Sequence, residues 1–401
     1  MIGSYTDFVT GSFSKIVLPS ITLMLVIWLI TTSSILKINL DPPATNLSEL
    51  SHKLSFNPPK PNKTLPTLST VSTAKVNEQK NDQNEVYAEK HYIVDCAIED
   101  IITEEDYEVY HQSANQFLQS LGNDNDKNKQ LAYTLFAPLH EGKTRLDLLI
   151  EFNQRFSDTA IVLTDIVRLC TTLNYNAQCD SNPLQSAIAA DSNNGAMWLQ
   201  QIFLHLSNDN EPGILYAIDE LLKSPFMEDS FVQKIELYLQ SLNAYPTHNS
   251  NINTVAALFD YAFGEALTMN SYTPLFQWCK KSISDPLKTA VCLKLGNYLQ
   301  KNSLLITDQI MGIELQKLVF EGQGNKQLLA EAQDSYNNIM ATISSDKAAK
   351  ASSLLMADER LLISWLTNIK HYGEVVAQQL LVEEAILLSK NEHYSPCTRQ
   401  R

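Results

Sequence analysis

The sequence predicts an all-α protein: stacked antiparallel helical hairpins behind one N-terminal transmembrane helix and a disordered stalk. Past about Glu85 the apolar residues recur at helical rather than alternating spacing, which puts them on one face of a helix. Polar-then-proline pairs punctuate the same stretch, and such pairs pre-set the first helical turn. No run alternates apolar and polar residues long enough to read as a half-buried strand.

Taken in chain order, residues 1–15 form a short tail predicted to be cytoplasmic. Residues 16–36, IVLPSITLMLVIWLITTSSIL, carry no charge and lie between Lys15 and Lys37. Roughly 20 residues at about 1.5 Å each match a hydrocarbon layer of about 30 Å, so this segment is read as a membrane anchor. A cleaved secretory signal is the alternative, with Thr32-Ser33-Ser34 as a poor small-residue cleavage site. Lys15 and Lys37 cancel in the positive-inside comparison, as do Asp7 and Asp41. The tail is too short to be a cytoplasmic effector, and on that ground it is placed inside and the bulk outside: periplasmic, if the cell is bacterial. Residues 37–85 are rich in Pro, Ser, Thr and Asn and cannot bury enough apolar surface to offset their ordering entropy, so they read as a stalk. Its triplets at Asn46 and Asn62 match the glycosylation acceptor pattern, which an Asn- and Ser-rich linker also produces by chance.

Residues 86–401 remain for a helical domain, and 44% hydrophobic content over the 401-residue chain is enough for a full core. Val232, Ile235, Leu239 and Leu242 make one apolar stripe; Leu287, Val291, Leu295 and Leu299 make another. Thr273-Pro274, Asp285-Pro286, Asn182-Pro183 and Ser224-Pro225 are read as helix starts. The formal charge of -15, from 45 acidic against 30 basic residues, excludes nucleic acid as an expected partner, because affinity for polyphosphate comes from Lys and Arg displacing counterions. It also leaves attachment to the lipid bilayer to residues 16–36.

Residues 184–224 hold a more specific pattern. Ala187, Asp191, Asn193 and Asn194 precede Trp198, with Ala217 and Leu221 further on. This resembles a tetratricopeptide repeat junction, where one helix ends in Asp-x-Asn-Asn and the next carries a Trp near its start. The stretch departs from that family by a longer inter-helix turn, Asn208 to Gly213, by lacking the usual Gly, and by not recurring at a fixed period. The resemblance implies a TPR-like or α-solenoid-like stacking and a peptide-binding hairpin, with Trp198, Asn194 and Tyr216 as candidate interaction residues. One ordinary α-hairpin with a core Trp is the alternative.

Six cysteines include two close pairs, Cys170 with Cys179 and Cys279 with Cys292. Each pair brackets a helix end and the start of the next segment, so disulfides across antiparallel neighbours are expected, with buried apolar cysteines as the alternative. Such bonds persist in oxidising compartments. Whether Cys96 and Cys397 pair is left open. None of these spacings is a short zinc knuckle.

The remaining motifs carry little chemistry. Ala137-PLHE-Gly142-Lys143-Thr144 satisfies a permissive phosphate-loop pattern, but Leu139 and His140 do not make the loop curl easily, and Thr144 reads better as a helix cap. Asp165, at the end of an apolar run, mimics a magnesium ligand without a sheet behind it. Glu99-Asp100, Glu104-Glu105-Asp106 and Asp124-Asn125-Asp126 read as solvated helix starts or turns, Gly322-Gln-Gly324 is too short to be a dinucleotide loop, and the eight histidines form no metal pair. No catalytic, cofactor-binding or metal residue is therefore expected. The expected function is a membrane-tethered, extracytoplasmic protein- or peptide-binding or scaffolding module of the cell envelope. A type II membrane enzyme, whose tail, anchor, stem and catalytic domain resemble the order in Golgi-type transferases, is the alternative, and a membrane-anchored sensor is a third.

Overall fold

The computed structural model describes residues 92–96, 101, 103–140, 142–157, 159–172, 179, 181–243 and 272–397, and these carry fifteen α-helices. The tail, the 16–36 segment, the stalk with Asn46 and Asn62, and Glu99-Asp100 lie outside the described residues. Among the described residues no helix is long and apolar enough to cross a membrane.

The helices are α1 (Glu104–Ser120), α2 (Lys127–Phe136), α3 (Arg145–Arg155), α4 (Ala160–Thr172), α5 (Ser181–Ala190), α6 (Gly195–Ser207), α7 (Glu211–Lys223) and α8 (Phe231–Asn243). They continue as α9 (Thr273–Lys281), α10 (Pro286–Asn302), α11 (Ile306–Gly322), α12 (Lys326–Ile343), α13 (Asp346–Ala357), α14 (Glu359–Tyr372) and α15 (Glu374–Ser389). Among the described residues pairing of β type is confined to isolated bridges, and these residues are all-α.

Side-chain caps set most of the boundaries, because the first N–H groups of a helix have no partner inside it. Asp126 accepts from Asn128 and Lys129 at the start of α2, and Asp285 accepts from Leu287 and Lys288 ahead of Pro286 in α10. Thr144 forms a capping box with Asp147 on α3, so Gly142-Lys143-Thr144 is a helix-to-helix turn; Lys143 is spent on Glu151 at 2.8 Å. Three expected starts differ. Asn182 lies inside α5, which begins at Ser181. Thr273 lies inside α9, whose cap position Tyr272 makes no side-chain cap bond. Ser224-Pro225 ends a helix instead of beginning one: Ser224 is the C-cap of α7, and α8 begins only at Phe231.

The apolar stripe of α8 is buried throughout, from Val232 at 4% exposure to Leu242 at 0%. That of α10 is rotated from the expected one. Leu287 is 81% exposed, while Cys292, Leu295 and Leu299 are sealed. The cause is a close crossing with α11, where Gly296 and Gly312 meet backbone to backbone: a Cβ on Gly312 would lie 2.5 Å from the Gly296 carbonyl.

Sequence neighbours pack as hairpins, α6 with α7, α10 with α11 and α14 with α15. Packing also runs far beyond neighbours, because α12 and α13 reach α15 and α8 touches both α2 and α14. The largest core cluster gathers Ile93, Cys96 and Leu118 with Ile235, Leu354, Leu362, Leu381 and Ala385. In a solenoid each repeat touches only the next, so this packing does not support an open solenoid. A smaller core joins α2, α3 and α4 through Leu135, Leu149 and Ile166.

Candidate functional site

Several inter-helix turns, remote in sequence, meet and satisfy one another's backbone groups. Gly195 N–H at the start of α6 donates to the Phe226 carbonyl at 2.9 Å, and Glu374 N–H at the start of α15 donates to the Leu304 carbonyl at 2.7 Å. Between them Met227 and Ser303 form a parallel bridge. Tyr298 of α10 reaches under this seam, its hydroxyl donating to the Ser224 and Phe226 carbonyls at 3.0 and 3.1 Å. Orphan helix-terminal N–H groups are thereby paired across turns instead of with water.

The same turns bring acidic groups inward. Asp308, in the first turn of α11, accepts from the Tyr272 hydroxyl at 2.6 Å and the Ser303 hydroxyl at 2.8 Å. Glu374 accepts from Ile306 N–H at 2.9 Å, and Asp229 accepts from Phe231 N–H at 2.9 Å. Burial, which penalises the charged form, raises all three carboxyls. Asp229 is pushed up to about 7, first by burial and then by the charge of Asp308, against the Phe231 N–H, Lys234 and Arg168. Asp308 also repels Glu374, and burial with the nearby Asp308 carries the Tyr272 phenol well above its ordinary range. Beside this cluster lies a sealed ion pair, Lys234 with Asp165, each 5% exposed or less, with Arg168 3.4 Å from the same Asp165 oxygen. A half-buried carboxyl near neutrality beside a second one can take up and release a proton. Among the described residues no group of three or more His, Cys, Asp or Glu is placed to hold a metal ion.

Of the residues singled out in the sequence, Asn194 belongs to this seam. It is 5% exposed and uses both ends of its amide: the oxygen accepts from Ala196 and Glu228 N–H, and the nitrogen donates to Asp191 and the Glu228 carbonyl. Trp198 is 6% exposed and donates its indole N–H to the Ser192 carbonyl at 3.0 Å. Tyr216 alone of the three faces solvent, 58% exposed, edge-on to Trp198 with ring centroids 5.9 Å apart. The turn between α6 and α7 is shorter than its composition suggests, because Asn210 caps α7 by accepting from Gly213 N–H. Cys170 with Cys179 and Cys279 with Cys292 sit in disulfide geometry, Cα atoms 5.5 and 5.9 Å apart, and Cys96 with Cys397 form a third such pair at 5.3 Å.

Sequence reasoning missed Asp229, Asp308, Glu374 and Tyr272. Their local signal is that of ordinary capping or first-turn acids, and what sets them apart is convergence across 145 residues of chain, from Asp229 to Glu374. Asp165 drew notice only as a mimic of a metal ligand; its partner Lys234 lies 69 residues away. Compared with protein families, curated proteins and solved structures, the chain matches no family profile, no curated protein and no solved structure.

Proposed function

We propose that this is a membrane-tethered, extracytoplasmic binding or scaffolding protein, held by residues 16–36, whose TPR-like α6–α7 hairpin takes a protein or peptide partner of the cell envelope. The observation that carries the reading is the pairing of Tyr216 with Trp198: an exposed aromatic ring rests on one that is fixed by its own hydrogen bond. Rigid aromatic anchors contribute contact area at low entropic cost, which is why binding surfaces favour them. Three cysteine pairs at bonding geometry support an oxidising compartment. The transferase alternative draws less support, since catalytic domains of that order generally rest on α/β sheets and the described residues hold none.

Proximity labelling from the full-length protein tests the reading. Tyr216→Ala is expected to lose a specific labelled neighbour while membrane retention in carbonate is unchanged. An unaltered set of neighbours would remove the hairpin from consideration, and a full-length chain that washes off the membrane unprocessed would remove the tether.

A further inference from the structure

The three disulfides differ in what they close, and not all can be reached: Cys170 and Cys179 are each partly exposed, as Cys397 is, whereas Cys279 and Cys292 are not. Cys170–Cys179 and Cys279–Cys292 span 9 and 13 residues, whereas Cys96–Cys397 spans 301 and joins the two ends of the described unit. Cys279 and Cys292 are sealed at 1% and 0% exposure, so no thiol can approach them in the folded chain. In the third pair Cys96 is sealed at 0% but Cys397 is partly exposed. Exchange requires a thiolate to reach one sulfur, and here a reachable sulfur holds a long-range bond.

Residues 390–397 form a strap beyond α15. Tyr394 donates its hydroxyl to Asp358 Oδ2 at 3.2 Å, while Asp358 Oδ1 caps α14 by accepting from Arg360 and Leu361 N–H. Tyr394 and Cys397 pack against the core that holds Met356, Ala357 and Leu361. On the other side of the bond Val94 N–H donates to the Ser389 hydroxyl at 2.9 Å. The strap thus covers the α13–α14 junction and is pinned there covalently.

We propose that Cys96–Cys397 is a thiol-cleavable clasp, opened by a dithiol, whose release frees the 390–397 strap from the start of α14 while the other helices stay packed. A thiolate of the dithiol attacks Cys397 Sγ, the S–S bond breaks, and Cys96 leaves as a thiolate that takes up a proton. The second thiol of the reductant then attacks the mixed disulfide, releasing Cys397 as a thiolate that is protonated in turn. The dithiol ends as a disulfide, so electrons and protons balance. This device does not rest on the partner-binding reading.

The test is graded dithiothreitol on the full-length protein, followed by alkylation, mass mapping and amide exchange. Cys96 and Cys397 are expected to label together at a reductant concentration at least about tenfold below that needed for Cys279 and Cys292. At that point faster exchange is expected in 92–96, 390–397 and the first turn of α14, with α10 and α11 still protected. The double variant Cys96→Ser, Cys397→Ser is expected to fold and to show the same pattern without reductant. Labelling of all these cysteines at one concentration, loss of protection in α10 and α11 when the clasp opens, or failure of the double variant to fold would each identify a structural staple and overturn the proposal.

Discussion

At Asp229 a single carboxyl sets the direction in which stability follows pH. Its ordinary value of 3.8 applies to the unfolded chain, and the folded environment raises it to about 7. Between those values the folded state holds more protons than the unfolded one, so this group favours folding at low pH and loses that contribution as pH rises through about 7. Asp308 and Glu374 are raised by burial and act in the same direction. The melting temperature is therefore expected to fall between about pH 5 and about pH 7.5, and Asp229→Asn, which keeps an oxygen for Phe231 N–H, is expected to flatten that slope; equal slopes in the two proteins would disprove it. The Lys234–Asp165 pair gives a second expectation. Lys234→Met leaves the sealed Asp165 carboxylate to Arg168, 3.4 Å from the same oxygen, and is expected to cost about 1–3 kcal/mol in urea unfolding. Adding Asp165→Leu is expected to recover little of that loss, because it also takes the carboxylate away from the mostly buried Arg168. None of this was visible along the chain: an Asp two residues ahead of a helix looks the same whether water or Asp308 lies opposite.

Helices were far more legible than their orientation about their own axes. Period, caps and proline placed α8, α10 and the turn before α3, since these signals act within a few residues. The error on α10 shows the limit: Leu287, Val291, Leu295 and Leu299 are correctly spaced, yet the buried face is chosen by Gly296 because only a residue without a side chain admits α11 so closely. Gly312→Ala, which drives a Cβ to within 2.6 Å of the Gln300 nitrogen, is expected to lower stability by about 1–3 kcal/mol in chemical unfolding, and a neutral effect would mean the two helices cross more loosely. In the same way Ser224-Pro225 carries the grammar of a start and marks an end, because the stretch after it is held by Tyr298 and by the bridge to Ser303. Tyr298 lies 74 residues beyond Ser224, out of reach of any local pattern.

For the whole molecule, the all-α class followed from local periodicity, whereas its closure did not. A core that draws on both Ile93 and Ala385 belongs to a body whose ends come together, and only the pairing of Cys96 with Cys397 would have announced it. That pairing also orders the protein's biogenesis. Of these six cysteines, synthesis delivers Cys96 first and Cys397 last. Cys170 with Cys179, then Cys279 with Cys292, find their mates within a short interval of emerging, while Cys96 must wait for a mate 301 residues further on. In an oxidising compartment an early wrong partner for Cys96 is the maturation error to expect, and its correction by disulfide shuffling is the slow step.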